Sequence, residues 1–206
     1  MGEFFIGLDL GQSQDFTAMA ILEPVVVTGE WDAVAFAHRK MMTLQLRYLE
    51  RVPLGTTYPE VVARVREVTR SAELRGRCHL QVDGTGVGRP VVDLLRAAEL
   101  DCPIRAALIV SGYAESYQGG YHHVPKRNLI LGLQVLLQCG GLEIAGEMKL
   151  GAALLEEMAE MQVKQTGRGE QFGAWREGQH DDLVLAVALA YWGARKSGVV
   201  GLALAA

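Results

Sequence analysis

Residues 4–10 form a short apolar run interrupted by the aspartate at position 9, and Gly11-Gln12-Ser13-Gln14-Asp15 separates it from a second apolar, β-rich segment over 17–28. Small and polar residues between two such runs predict a turn between antiparallel strands. Gly29-Glu30 offers a tight connection to a third strand over 31–42, which completes a meander. The period then becomes helical. Val61, Val62, Val65, Val68 and Leu74 recur mostly on one face among arginines and glutamates, and Thr57 stands before them as a capping residue, predicting a helix over 58–74. Residues 78–82 read as a buried strand ending at Asp83 and Gly84-Thr85-Gly86-Val87-Gly88, with a helix over 90–99 and a strand over 104–109 to follow. Strands separated by helices favour parallel pairing through right-handed crossovers. Residues 111–124, rich in Gly, Ser, Tyr and His, predict a surface loop. Pro125 opens a helix to 138 that buries Leu129, Leu133, Leu136 and Leu137, and Gly140-Gly141 ends it. A strand over 142–144, a helix over 149–163 and a loop or small hairpin over 165–178, with Phe172 and Trp175, complete the series before a last helix from His180. That helix is apolar nearly all round, so it is expected to be buried against the sheet.

The chain has 206 residues, half of them hydrophobic and 21% charged, which predicts one ordered domain over 1–206, with neither repeats nor linkers. The longest apolar stretches, 183–192 and 198–206, fall short of the roughly 20 residues that span a bilayer. The N-terminus lacks the pattern of a secretory signal, so the expected location is the cytoplasm, with no membrane partner. Cys78, Cys102 and Cys139 are widely spaced in apolar neighbourhoods and are expected to be buried, reduced thiols. Twenty basic against 24 acidic residues give a formal net charge of -4, which opposes tight unaided binding to a phosphate backbone.

The acidic residues nevertheless fall at telling positions. Asp9 and Asp83 each end an apolar strand, where a carboxylate must be solvated, hydrogen-bonded or bound to a cation to offset its desolvation. Asp181 and Asp182 precede the apolar stretch 183–192, so at least one of them stands at the end of a buried helix. Singly, each is explained as a turn or cap residue. Together they converge if the first and fourth strands are neighbours, and the result is a hard-oxygen site suited to Mg²⁺ or Mn²⁺. Two such ions about 3.5–4 Å apart support phosphodiester hydrolysis without a nucleophilic side chain.

Gly7-Leu8-Asp9-Leu10-Gly11, Val82-Asp83-Gly84-Thr85-Gly86-Val87-Gly88 and His180-Asp181-Asp182-Leu183-Val184-Leu185-Ala186 resemble, in order, motifs of the nuclease domain of bacteriophage terminase large subunits. Val124-Pro125-Lys126 and Phe172-Gly173-Ala174 look like further pieces of that pattern. The resemblance implies an RNase H-like α/β fold, with a mixed sheet of a three-stranded antiparallel meander plus parallel strands, flanked by helices. It also implies a two-metal-ion endodeoxyribonuclease that cuts concatemeric viral DNA during packaging, with Asp9, Asp83, Asp181 and Asp182 in the catalytic and metal-binding positions. The implied partners are double-stranded DNA and a packaging ATPase, small terminase subunit or portal, in the host cytoplasm if the chain is phage-encoded. No G-x-x-x-x-G-K-[ST] phosphate loop occurs, so the motor must lie elsewhere. Two alternatives share the acidic strand ends: a RuvC-like Holliday junction resolvase, and an actin- or sugar-kinase-like nucleotide-binding domain. Lys126, Arg127, Arg168 and Arg176 are candidates for phosphate contact, His180 for a minor role at the metal, and Asp15 for a supporting one. Gly84 to Gly88 are read as a tight turn, and His122 and His123 as solvated loop residues.

Overall fold

The computed structural model describes residues 2–11, 15–86, 88–166, 169–173 and 180–200. Its first three strands, β1 (Phe4–Asp9), β2 (Thr17–Asp32) and β3 (Ala37–Val52), pair antiparallel as the expected meander. Two features of that meander differ from expectation. The β2–β3 turn lies at 33–36, where the Asp32 carboxylate accepts hydrogen bonds from the backbone N–H groups of Val34 and Ala35 at 2.9 and 3.2 Å. Gly29 stays inside the ladder, at a register shift between Thr28 and Trp31. The third strand is also longer than predicted, because it continues through Leu44, Leu46 and Leu49 into the core.

Five further strands extend the sheet. β4 (Cys78–Asp83) lies parallel to β1, β5 (Ile104–Val110) parallel to β4, and β7 (Tyr121–Pro125) parallel to β5, while β6 (Ser116–Gln118) closes that edge antiparallel to β7. β8 (Leu142–Ile144) pairs parallel with β3 at the other edge, so the order is β6-β7-β5-β4-β1-β2-β3-β8. The hairpin β6–β7 replaces the expected loop. Gly119 and Gly120, at φ 61° and 83°, make its turn, because two successive left-handed residues reverse the chain with the twist a hairpin needs. A separate hairpin, β9 (Gln162–Thr166) with β10 (Gly169–Gly173), meets one of the two forms expected there, and Trp175 lies outside the described residues.

Helices cover both faces. α1 (Tyr58–Thr69) and α2 (Gly88–Ala97) lie on one side, over Ile6, Leu8, Leu80 and Val82. Thr57 and Glu60 form a reciprocal capping box at the start of α1, which ends one turn early at Arg70, before Leu74. α3 (Lys126–Gln138), α4 (Gly151–Glu160) and α5 (Asp182–Lys196) lie on the other side, over Phe5, Ala18, Ala20 and Leu46. Every α5 residue from Asp182 to Ala194 is buried, as its all-round apolar sequence requires. No helix among the described residues is long and apolar enough to cross a membrane. Cys78 is buried and Cys102 partly so, but Cys139 is exposed because it caps the end of α3 at the turn into Gly140-Gly141.

Candidate metal centre

Alternation along the two central strands decides where their terminal carboxylates point. Ile6, Leu8, Leu80 and Val82 belong to the α1/α2 core, whereas Phe5 packs in the α5 core and Gln81 meets Gly193 of α5. Side chains two residues apart share a face, so Asp9 and Asp83 leave their strands on the α5 side. The parallel register pairs Leu8 with Val82, which sets the two aspartates one step further on, at the ends of adjacent strands.

Helix α5 is pressed obliquely across this face. A Cβ on Gly7 would lie 1.9 Å from the Ala186 carbonyl oxygen and 2.6 Å from the Ala190 nitrogen, and one on Gly193 would lie 2.2 Å from the Gln81 side chain. Glycine is required at both crossings because backbone and side chain fill the space a Cβ would need. The helix N-terminus is anchored on β3, at Arg51. This residue pairs with Ala18 of β2, which itself pairs with Asp9, so the three share one row of the sheet.

The two adjacent aspartates at the head of α5 have different surroundings. Asp182 is 5% exposed and is gripped by Arg51, whose Nε donates to Oδ2 at 2.7 Å and whose Nη2 donates to Oδ1 at 3.1 Å. The same guanidinium also donates to Glu157 of α4. Asp181 is partly exposed, and its Oδ2 accepts a hydrogen bond from Lys126 Nζ at 2.6 Å. Lys126 starts α3 immediately after β7, which brings it to this end of the sheet. Asp83 is fixed by Thr85, whose N–H and hydroxyl donate to its Oδ1 at 2.8 and 2.5 Å, while Ile109 N–H donates to the Thr85 hydroxyl at 2.7 Å.

The charges of these groups interact. Burial, then the charges of Asp83, Asp181 and Asp182, push the Asp9 carboxyl well above the usual carboxylate range, with Lys126 opposing. Burial also raises Asp83, against the stabilising hydrogen bonds from Thr85. Glu157 is pushed up to about 7 by burial and by Asp182, with Arg51 acting in the other direction. Asp9 is thus within electrostatic reach of all three other predicted aspartates. Among the described residues, however, no three Asp, Glu, His or Cys side chains stand close enough to enclose a cation. Lys126 and Arg51 supply positive charge to this end of the sheet instead. Carboxylate oxygens are the ligands a hard divalent cation takes, and a cation brought beside Asp9 would offset the burial and like charge that disfavour its ionised form.

Other predicted residues fall into place around this end. His180 packs edge-on against Phe16, 5.2 Å between ring centroids, and Phe16 also carries the Arg51 guanidinium at 5.0 Å. His122 and His123 lie in β7 rather than in a loop, with His122 between Tyr117 and Trp192. Arg127 stacks on Tyr113, and Asp15 is exposed in a groove with Gly11, Thr17 and Val52. Gly84 to Gly86 make the expected turn, with Gly86 at φ 62°, and Gly88 begins α2. Val87, Arg168, Arg176 and Gln12 to Gln14 lie outside the described residues. Sequence reasoning missed Arg51, Thr85 and Glu157. Only Glu157 left a signal: it stands three residues after Leu154 and four before Met161, at a core-facing position of its helix.

An antiparallel meander joined through its first strand to parallel β4 and β5, with carboxylates at the ends of β1 and β4 and at the head of a buried C-terminal helix, defines an RNase H-like fold. That fold is similar to the solved nuclease domains of phage large terminases. The solved nuclease of the large terminase from thermophilic phage G20c, with bound magnesium, matches 93% of this chain and 81% of its own at a TM-score of 0.65 and 23% identity. The nuclease domain of large terminase subunit gp2 of bacterial virus Sf6, with manganese and beta-thujaplicinol, matches 92% and 88% at a TM-score of 0.63 and 15% identity. In sequence, the large terminase subunit of Thermus phage G20c is 24% identical over 192 residues, covering 91% of this chain, which spans about a third of that relative (31%). No protein-family model matches the chain.

Proposed function

We propose that this chain is a metal-dependent endodeoxyribonuclease of the large-terminase kind, acting on double-stranded DNA at the end of the sheet where Asp9 and Asp83 face the head of α5. The observation that carries this reading is the placement of Asp9 and Asp83 at the ends of adjacent parallel strands, on the face crossed by α5 with Asp181 and Asp182 at its head. Asp9, Asp83 and Asp181 are the residues assigned to hold Mg²⁺ or Mn²⁺. Asp182 is assigned to Arg51, because both of its oxygens are already engaged there. When bound, two such cations would ease the ionisation of water and balance charge on the leaving oxygen of a phosphodiester.

The chain's own groups have distinct tasks. Thr85 fixes the rotamer of Asp83, and Arg51 fixes that of Asp182, so neither carboxylate has to be ordered when substrate arrives. Lys126 holds Asp181 at this end of the sheet. A role beside a packaging ATPase and the portal in cutting concatemeric viral DNA belongs to the same proposal, and it is supported by the 24% identity to a phage large terminase subunit, of which the chain spans about a third. The test is nicking and linearisation of supercoiled plasmid with Mn²⁺ by the native chain, Asp9→Ala and Asp83→Ala. Native cutting with loss of at least a hundredfold in both variants is expected. Equal cutting by all three would remove the assignment.

A further inference from the structure

Asp181 holds the N-cap position of α5, and aspartate there ordinarily accepts hydrogen bonds from the backbone N–H groups two and three residues on. In this helix those donors belong to Leu183 and Val184, and both are taken by Glu157 Oε2, at 3.1 and 3.2 Å. Asp181 accordingly makes no side-chain capping bond, and its carboxylate meets Lys126 instead. Glu157 is 6% exposed and also accepts from the Arg51 guanidinium that grips Asp182. One buried carboxylate from α4 therefore satisfies the head of α5 and joins the clamp on the neighbouring aspartate.

We propose that Glu157 is a positioning residue of the candidate metal centre: it caps α5 from a neighbouring helix and so leaves the Asp181 carboxylate off the helix amides and held by Lys126. The inference rests on the metal-site reading above. Its physical basis is competition, since an aspartate at an N-cap whose amide donors are unpaired folds back onto them. Without Glu157, Asp181 becomes an ordinary cap and is withdrawn from the cation.

The test is a double-mutant cycle on Mn²⁺ affinity, read by titration calorimetry at a temperature where circular dichroism shows each chain folded. Glu157→Ala is expected to weaken Mn²⁺ binding about tenfold, the scale seen when groups supporting a metal ligand are removed. Asp181→Asn is expected to weaken binding in the native background and to cost little more in the Glu157→Ala background, because the ligand has already been lost. A structural defect alone would give additive losses. Glu157→Gln keeps the size and one acceptor oxygen and should recover part of the affinity. If the alanine variant does not fold, the cycle is run on Glu157→Gln, with a smaller loss in the same direction. Native-like binding by the Glu157 variant, or an undiminished Asp181→Asn penalty beside it, overturns the proposal alone. Absence of Mn²⁺ binding by the native chain, or full binding by Asp9→Asn, sinks the metal-site reading and this inference with it.

Discussion

At the scale of single residues, Asp9 is held against its own ionisation. Its folded pKa is raised by burial and by three like charges, so it contributes stability that is fully present below the ordinary carboxylate value and is lost as pH rises through the folded value. The metal-free chain therefore loses stability from this group as pH rises above the ordinary carboxylate range. Asp9→Asn removes the charge while keeping the shape, and in EDTA at pH 8 it is expected to melt above the native chain, with the gap narrowing toward pH 4. Adding Mn²⁺ should raise the melting temperature of the native chain but not of the variant, and thermal scans across that pH range read both effects. An Asp9→Asn chain less stable than the native one at pH 8 would show that the carboxylate serves the fold. The adjacent aspartates of α5 should separate in the same assay. Asp182→Ala leaves the partly buried Arg51 guanidinium with Glu157 as its remaining partner and is expected to cost about 2 kcal/mol with or without metal, whereas Asp181→Asn spares stability and loses the metal response. Equal losses of stability in both would show that the two positions share one role.

Among the elements, the contact that sets the site is the crossing of α5 over β1. Gly7 lies so close to the backbone at Ala186 and Ala190 that Gly7→Ala must push the helix outward, which is expected to destabilise the chain by about 3 kcal/mol, the upper range for overpacking. Urea denaturation measures this directly, and an unchanged midpoint would place α5 elsewhere. The apolar character of α5 was legible in the sequence, because a helix hydrophobic on every side has nowhere to lie but against a sheet. Parallel pairing of β4 with β5 was legible from the alternation of strands and helices, whereas the adjacency of β1 and β4 stood in the sequence only as a condition and is met by their register. Other features were settled by contacts remote in sequence. The turn after β2 depends on the Asp32 side chain rather than on Gly29, and β6 and β7 are strands because they extend a sheet edge, whatever their loop-like composition. Arg51 lies 106 positions from Glu157 and 131 from Asp182, the two carboxylates it joins, so local pattern gave no means of linking them.

Over the whole molecule, charge opposes the proposed substrate. Twenty basic residues against 24 acidic ones leave a net charge of -4, and the candidate centre concentrates Asp9, Asp83, Asp181 and Asp182 where a phosphate must approach. Duplex DNA and this end of the sheet therefore repel each other until a cation reverses the local field, and Lys126, already paired with Asp181, is poorly placed to do so by itself. Affinity for DNA is accordingly expected to depend on divalent metal. With a short labelled duplex, fluorescence anisotropy in EDTA should give weak binding that disappears as salt is raised, because the remaining contacts are between lysines or arginines and phosphates. Ca²⁺, a hard cation of the same ligand preference, should tighten it at least tenfold, and Asp9→Asn should abolish that increment without weakening binding in EDTA. Nanomolar binding in EDTA at physiological salt would mean that DNA is gripped on a surface away from the carboxylates. In that case the acidic end would receive a strand already held elsewhere on the chain.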